Sequence, residues 1–353
     1  KISDKYEIKD LIANFFYKNN SIRLNNISWN LGNQKKIKNE FFNGDIYLRR
    51  VKKGYEIDLK FQTKNASILP KISIMNYFFN QNNILNVKTQ LLLNKNKTIF
   101  FKDMTIEDED NKLKINNLYI DKNYNLINFN KIEVKTSLDK STNNEFKITN
   151  QDQIIIKGKV FDAKMLIKEL NKDGKENKFL KNISKDIEIE FDRILKGAKF
   201  PIKNFRLVGK IKKGSFEKIS AKSDFEGNKH LDISLKKLRK NNKKTLEVYS
   251  DIAMPLLSDY NFFKGLKGGS LNYVSDFDDN NSSSILTINN FKLNKAPTLA
   301  KILSLADLKG LTDTLKGEGI SFDTLSIKFN SDTSKMDIEE IFMIGPSISI
   351  LVD

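Results

Sequence analysis

The 353 residues are 39% hydrophobic and 30% charged, with 25 Phe and 10 Tyr, which excludes a collagen-like or wholly disordered chain. With no cysteine and one histidine, His230, disulfide frameworks, thiolate nucleophiles, zinc ribbons, iron–sulfur clusters and His-based triads have nothing to draw on. The net charge of +17 comes from 55 Lys and only six Arg (Arg23, Arg49, Arg50, Arg193, Arg206 and Arg239), whereas phosphate and base recognition favours the planar Arg fork.

Lys, Asn and Ile are all heavily used, and all three have A/T-rich codons. The charge is therefore read as solvated lysine on polar strand faces; an anionic membrane or lipid partner is the alternative, and nucleic acid is not expected.

In chain order, the first window is helical. Asp4 to Lys18 carries Ile8, Leu11, Ile12, Phe15 and Phe16 on one helical stripe. Strict alternation follows, the period-2 signature of half-buried strands. Tyr55-Glu-Ile57-Asp-Leu59-Lys-Phe61 puts four apolar side chains on one face and three charges on the other. Weaker versions run over Leu113 to Ile120 and Gln153 to Phe161. The pattern is strong again at Ile187-Glu-Ile189-Glu-Phe191, Phe205 to Ile211, Leu231 to Leu235 and Leu325-Ser-Ile327-Lys-Phe329. Leu246 to Tyr249, Leu271 to Phe277, Ile285 to Leu293 and Ile348 to Val352 complete it.

Lys52-Lys-Gly54, Lys212-Lys-Gly214, Asn241 to Lys244 and Asp278 to Asn281 sit where hairpin turns belong. Further short helices are predicted over Asp162 to Leu170 behind an Asp162 N-cap, Pro297 to Leu308, and Leu311 to Leu315. Polar connectors at Lys140 to Glu145 and Asn171 to Asn177 mark joints. The main boundary is set near Asn150, giving a β-rich segment 1–150 with an N-terminal helix, and a second region 151–353.

No stretch reaches the roughly 18 apolar residues of a membrane span, and the start carries no signal peptide. The chain begins on Lys1 rather than Met and stops just after an apolar run. A segment of a longer protein is expected, with any membrane anchor outside it.

Chemistry-bearing constellations are thin. G-x-S-x-G, a P-loop, G-x-G-x-x-G and H-E-x-x-H are all missing from the sequence. The run Glu107-Asp-Glu-Asp110 lacks EF-hand spacing and a turn glycine, and reads as a solvated hairpin tip. His230 reads as a surface residue with no obvious partner. Asp323 and Glu318 flank a turn and a strand, with no nucleophile nearby. Neither an enzyme, a metal site nor a cofactor is expected.

The C-terminal two hundred residues carry a family pattern. Ala296-Pro-Thr-Leu-Ala-Lys-Ile-Leu-Ser304, then Leu308-Lys-Gly-Leu-Thr-Asp-Thr-Leu-Lys-Gly-Glu-Gly-Ile-Ser-Phe-Asp323, then Ile344-Gly-Pro-Ser-Ile348, resemble the AsmA-like C-terminal region of bacterial envelope proteins of the AsmA, TamB and YhdP group. Gly265-Leu-Lys-Gly-Gly-Ser-Leu271 is similar to that family's Gly-Gly turn, and Ile156 to Leu166 to its strand-to-helix step. The resemblance covers about Gln153 to Asp353 and is only topological before that.

It implies a periplasmic protein anchored in the inner membrane. Its strands would form a mainly β, long antiparallel meander curling into an open apolar groove of the β-taco kind, with a few short capping α-helices. Its partners would be phospholipids, the inner and outer membranes, and envelope proteins. It implies no catalytic residues.

Physical chemistry selects the lining. The dry faces place Ile57, Leu59, Phe61, Ile187, Ile189, Phe191, Phe205, Leu207, Leu325, Ile327 and Phe329 as lipid-groove candidates. The same alternation also builds a β-sandwich or sheet-plus-helix core filled by its own side chains. On that reading the chain is a structural or assembly scaffold for the outer membrane.

Overall fold

The structure is a computed structural model. It describes residues 7–33, 36–37, 42–63, 83–96, 98–123, 125–164, 183–195, 200–238, 243–258, 260–294, 319–332, 334–346 and 348–352. The expected antiparallel β-meander is what the chain forms: it is mainly β, with almost no helix among the described residues. It divides into two compact units. The first comprises Lys1–Glu169, Lys175–Ile187 and Lys213–Ser215; the second comprises Leu170–Gly174, Glu188–Lys212 and Phe216–Asp353. Asn150, where the sequence reading sets its joint, ends a strand inside the first unit and pairs with Ile154.

In the first unit β1 (Glu7–Lys18), β2 (Ser21–Asn33), β4 (Phe42–Val51), β5 (Gly54–Thr63), β6 (Leu85–Asn94), β7 (Ile99–Glu107), β8 (Lys112–Ile120), β10 (Lys131–Leu138), β11 (Ser141–Asn150) and β12 (Ile154–Asp162) pair antiparallel in that order. The short β3 (Lys36–Ile37) and β9 (Leu126–Asn128) lie beside β2 and β8. Strand β13 (Lys185–Leu195) begins in this unit and ends in the next.

The second unit continues with β14 (Ile202–Lys212), β15 (Ser215–Phe225), β16 (Lys229–Lys237), β17 (Lys244–Ser250), β18 (Leu266–Phe277), β19 (Ser282–Leu293), β20 (Ile320–Ser331), β21 (Met336–Ile344) and β22 (Ser349–Val352). From β15 to β22 each strand pairs antiparallel with the next. Between β17 and β18 sit one helical turn, α1 (Met254–Leu257), and a 3-10 turn, Asn261–Phe263.

Turn chemistry explains the spacing. Asp108, Asp121, Asp278 and Asp332 each open a hairpin, and each Oδ1 accepts two backbone N–H groups at 2.7–3.0 Å. That is the Asx-turn geometry for which Asp is selected. The Asn125 amide on Asp121 and the Ser334 hydroxyl on Asp332 contribute most there, and with the backbone bonds they favour the ionised form, so the carboxyls of Asp121, Asp278 and Asp332 lie below the usual range. Asn19-Asn20 and Asp139-Lys140 use the other solution: both central residues have φ between 48° and 63°, as a two-residue type I′ hairpin needs.

A second device recurs inside the strands. Leu24-Asn-Asn26-Ile27 in β2, Ile115-Asn-Asn117-Leu118 in β8, Ile202-Lys-Asn204-Phe205 in β14 and Ile288-Asn-Asn290-Phe291 in β19 share one pattern. The second polar residue is always Asn, with φ of 52°, 51°, 53° and 54°. Asn tolerates this left-handed region better than other non-glycine residues. Apolar residues three apart would fall on opposite faces of a regular strand; the left-handed residue returns the second to the dry face. In β2 the result is a bulge, with Leu24 opposite Ile46 and Ile27 opposite Gly44. An Asp answers three of the four: Asp45 accepts from the Asn26 N–H at 3.2 Å, Asp103 from Asn116 at 2.6 Å, and Asp224 from Asn204 at 3.1 Å.

Several expectations are corrected. The residues read as an N-terminal helix form β1, paired with β2: Phe15, Phe16 and Tyr17 are strand formers, and the Asn19-Asn20 turn folds them back. Lys140 to Glu145 is no joint but the start of the β10–β11 hairpin. In Gly265 to Leu271 the Gly-Gly pair is no turn; the turn lies before it, at Lys264-Gly265. Gly268 and Gly269, with φ of 68° and 79°, lie within β18, where Leu271 pairs with Ile288 and Gly268 with Phe291. The predicted helices 297–308 and 311–315 lie outside the described residues. So does the window 162–170 beyond residue 164, although Asp162 Oδ1 accepts the Lys164 N–H at 3.0 Å as a cap would.

Candidate functional site

Register decides which side chains share a face, because directly opposed residues point the same way. In the first unit one unbroken row crosses ten strands: Phe15, Leu24, Ile46, Leu59, Thr89, Met104, Ile115, Ile132, Ile148 and Ile156. A parallel row runs from Phe61 through Val87, Ile106, Leu113, Val134 and Phe146 to Gly158. Only Thr89 is polar, and its hydroxyl donates to the Asp103 carbonyl at 2.9 Å. Both rows are therefore dry by composition.

Their exposure changes along the row. From β6 to β10 the face is a core: Leu85, Val87, Ile106, Leu113, Ile115, Leu118, Ile120 and Val134 are buried in one cluster, with Phe61, Phe146 and Ile183 against it; on β11 and β12 the row is half-buried at Ile148 and Ile156. On β5, β4 and β2 the face is half-buried at Ile57, Leu59, Ile46, Leu48, Ile22 and Leu24. On β1 it is open, with Phe15 62% and Tyr17 65% exposed. These strands make an apolar lane that the described residues leave uncovered.

The second unit has a comparable row, closed differently. Ala221, Ile233, Val248, Tyr273, Leu286, Ile327, Ile341 and Val352 are successive neighbours across eight strands. Beside it, Leu271, Ile288, Leu325 and Met343 are 0–3% exposed. Here the cover belongs to the unit: Ala253, Leu257, Phe262 and Phe263 pack on this cluster, held by the Ala253 N–H donating to the Gly269 carbonyl at 2.8 Å. The space left between Phe262, Phe263, Phe291, Leu325 and Met343 is about 10 Å³. It is a filled core.

The sequence-predicted residues fall into three groups. Ile57, Leu59 and Phe61 stand half-buried on β5, at the border of lane and core. Ile187, Phe191 and Leu207 are buried, with Ile189 and Phe205 half-buried, on β13 and β14. Leu325 and Ile327 are buried and Phe329 is half-buried within the filled core. Ile57, Leu59, Phe61 and Ile187 belong to the first unit and the other seven to the second. Sequence reasoning missed the lane residues on β1, β2 and β4; the Asn19-Asn20 hairpin signal could have found the first two strands.

The wet faces carry charge pairs such as Lys328–Glu340 at 2.9 Å and Lys112–Glu107 at 2.6 Å. His230, read as lacking a partner, has two: its Nδ1 lies 3.0 Å from Asp224 Oδ1, and its backbone N–H donates to Asp251 at 2.8 Å. The Tyr249 hydroxyl also donates to Asp251. The Asn204 amide, then His230, hold the Asp224 carboxyl below the usual range; the His230 N–H and the Tyr249 hydroxyl do the same for Asp251, which in turn raises the Tyr249 phenol. The cluster is exposed and contains no nucleophile.

Among the described residues no three His, Asp or Glu side chains converge for a metal ion, and no helix is long and apolar enough to cross a membrane. No family model, curated protein or solved structure matches this chain.

Proposed function

We propose that this chain binds or conducts phospholipid, burying acyl chains on the apolar lane of its first unit without catalysis. The observation that carries the reading is the gradient on one continuous dry face, from buried at Ile115 to 62% exposed at Phe15. Exposing an acyl chain to water costs about 0.8 kcal/mol per CH₂, so a sixteen-carbon chain carries about 12 kcal/mol that such a lane offsets. Strands of ten residues span about 33 Å, enough to hold the chain lengthwise. The resemblance to the AsmA-like C-terminal region covers about Gln153 to Asp353 and is only topological over the lane; with it, the proposal extends to a periplasmic protein, anchored to the inner membrane by a segment outside this chain, that moves lipid between inner and outer membrane.

The test is lipid extraction and mass spectrometry of the purified chain, beside an Ile57→Asp, Leu59→Asp double variant. The expected outcome is co-purifying phospholipid that the variant loses while its circular dichroism keeps the β signature. Lipid content that is zero in the parent, or unchanged in the variant, sinks the reading.

A second reading has its own support. The second unit is sealed by Phe262 and Phe263 with about 10 Å³ to spare, which suits a scaffold that holds protein partners in the envelope and carries no lipid. Lipid-free protein that captures envelope partners would favour it.

A further inference from the structure

A strongly charged rim lies at one end of the first unit's strands. Three hairpin tips stand side by side there. The Arg50 N–H donates to the Asn20 carbonyl at 3.1 Å, joining the β1–β2 tip to the β4–β5 tip. The Lys95 N–H donates to the Lys53 carbonyl at 3.0 Å, joining the latter to the β6–β7 tip. Lys18, Arg49, Arg50, Lys52, Lys53 and Lys95 are all exposed on these tips. Against these six cations, one carboxylate is described among residues 17–21, 49–56 and 93–99: Glu56, paired with Arg49.

At the other end, the β7–β8 tip carries Glu107, Asp108, Glu109 and Asp110 with Lys112.

Aromatic side chains follow the cations. Phe15, Phe16, Tyr17 and Tyr55 are 62%, 58%, 65% and 43% exposed, each within three residues of a basic tip. Phe15 pairs with Leu24 and Phe16 with Arg23, so the end of β1 shows aromatic rings on both faces. The tips at 107–112 and 138–141 have no aromatic residue. Exposed rings beside a row of cations are what the interface of an anionic bilayer accommodates: rings at headgroup depth, ammonium and guanidinium groups on the phosphates.

The geometry points to this rim as a docking surface for an anionic lipid bilayer, with the first unit's strands approaching by their basic tips. Docking goes beyond the lipid lane and stands even if the lane retains no lipid.

The test is flotation of the whole chain with vesicles of phosphatidylcholine alone or mixed with phosphatidylglycerol. Binding is expected only to the mixed vesicles and is expected to weaken as salt is raised. The Arg50→Gln, Lys52→Gln, Lys53→Gln variant should bind about a hundredfold more weakly, with unchanged circular dichroism because all three side chains are exposed. Phe16→Ser should also weaken binding, while Glu109→Gln on the opposite rim should bind as the parent does. Equal binding to neutral vesicles, or a triple variant that floats like the parent, overturns the proposal. Inorganic phosphate that abolishes flotation at constant ionic strength would make it a small-anion site, and a DNA duplex bound with the same dependence on these residues would make it a nucleic-acid surface; either overturns it.

Discussion

The two units are built from the same alternation and end differently. In the second, the sheet's dry face is sealed by residues between β17 and β18, and Leu325 is 1% exposed. In the first, an equally regular row reaches β1 with Phe15 and Tyr17 mostly in water. Periodicity dictates which side chains share a face; it says nothing of what lies over that face. The cover is decided elsewhere, here by a short segment with Pro255 at the start of one helical turn.

The sharpest way to break this contrast is to put a charge on each face. Leu325→Asp would bury an unpaired carboxylate and is expected to cost more than about 4 kcal/mol, enough to abolish the unfolding transition of the second unit in urea. Leu59→Asp, half-exposed to water, is expected to shift its transition by no more than about 1 kcal/mol. Equal losses would mean that the lane is a core as well.

A smaller effect tests the way the second unit wraps its core. At Gly269, φ is 79° and an added Cβ would stand 2.8 Å from Phe291 Cβ. Gly269→Ala is expected to cost about 2 kcal/mol, read as a lowered urea midpoint; an unchanged midpoint would mean that β18 can straighten there. Smallest is the effect of acid on the hairpins. The folded state holds Asp121, Asp278 and Asp332 below the ordinary carboxylate value of about 3.9. Their contribution is complete above that value and fades as pH falls through the lower folded values. Thermal melts should show the Asp278→Asn, Asp332→Asn variant less stable than the parent at pH 7, with the gap closing below the carboxylate range. A gap that persists in acid would show that the ionised form is not what the turn needs.

Much of the fold was legible in the sequence. Alternation at Tyr55 to Phe61 and Leu325 to Phe329 fixed faces as well as strands, and Lys52-Lys-Gly54 and Asp278 to Asn281 marked their turns. The first strand was not legible from periodicity. Ile8, Leu11, Ile12, Phe15 and Phe16 fit a helical stripe, and a bulged strand with apolar side chains on both faces leaves the same spacing. Pairing with β2 settles the conflict, and pairing is non-local. The candidate lane was legible only at Ile57, Leu59 and Phe61, because its other half lies on that misread strand and its partners. Its openness depends on the length and placement of covering segments, which no local pattern encodes.

The left-handed asparagines carry one more consequence. A strand is a message read two residues at a time, and an inserted residue is a frameshift that would turn every later side chain to the wrong side. Asn26 is a frameshift already corrected: β2 holds one residue more than β4 and β1 across the bulge, yet Leu24 and Ile27 keep the same side. Deleting Asn26 would restore plain register with both neighbours, whereas deleting a residue elsewhere in β2 would not. Asn26 is thus a point where strand length can change by one without loss of facing.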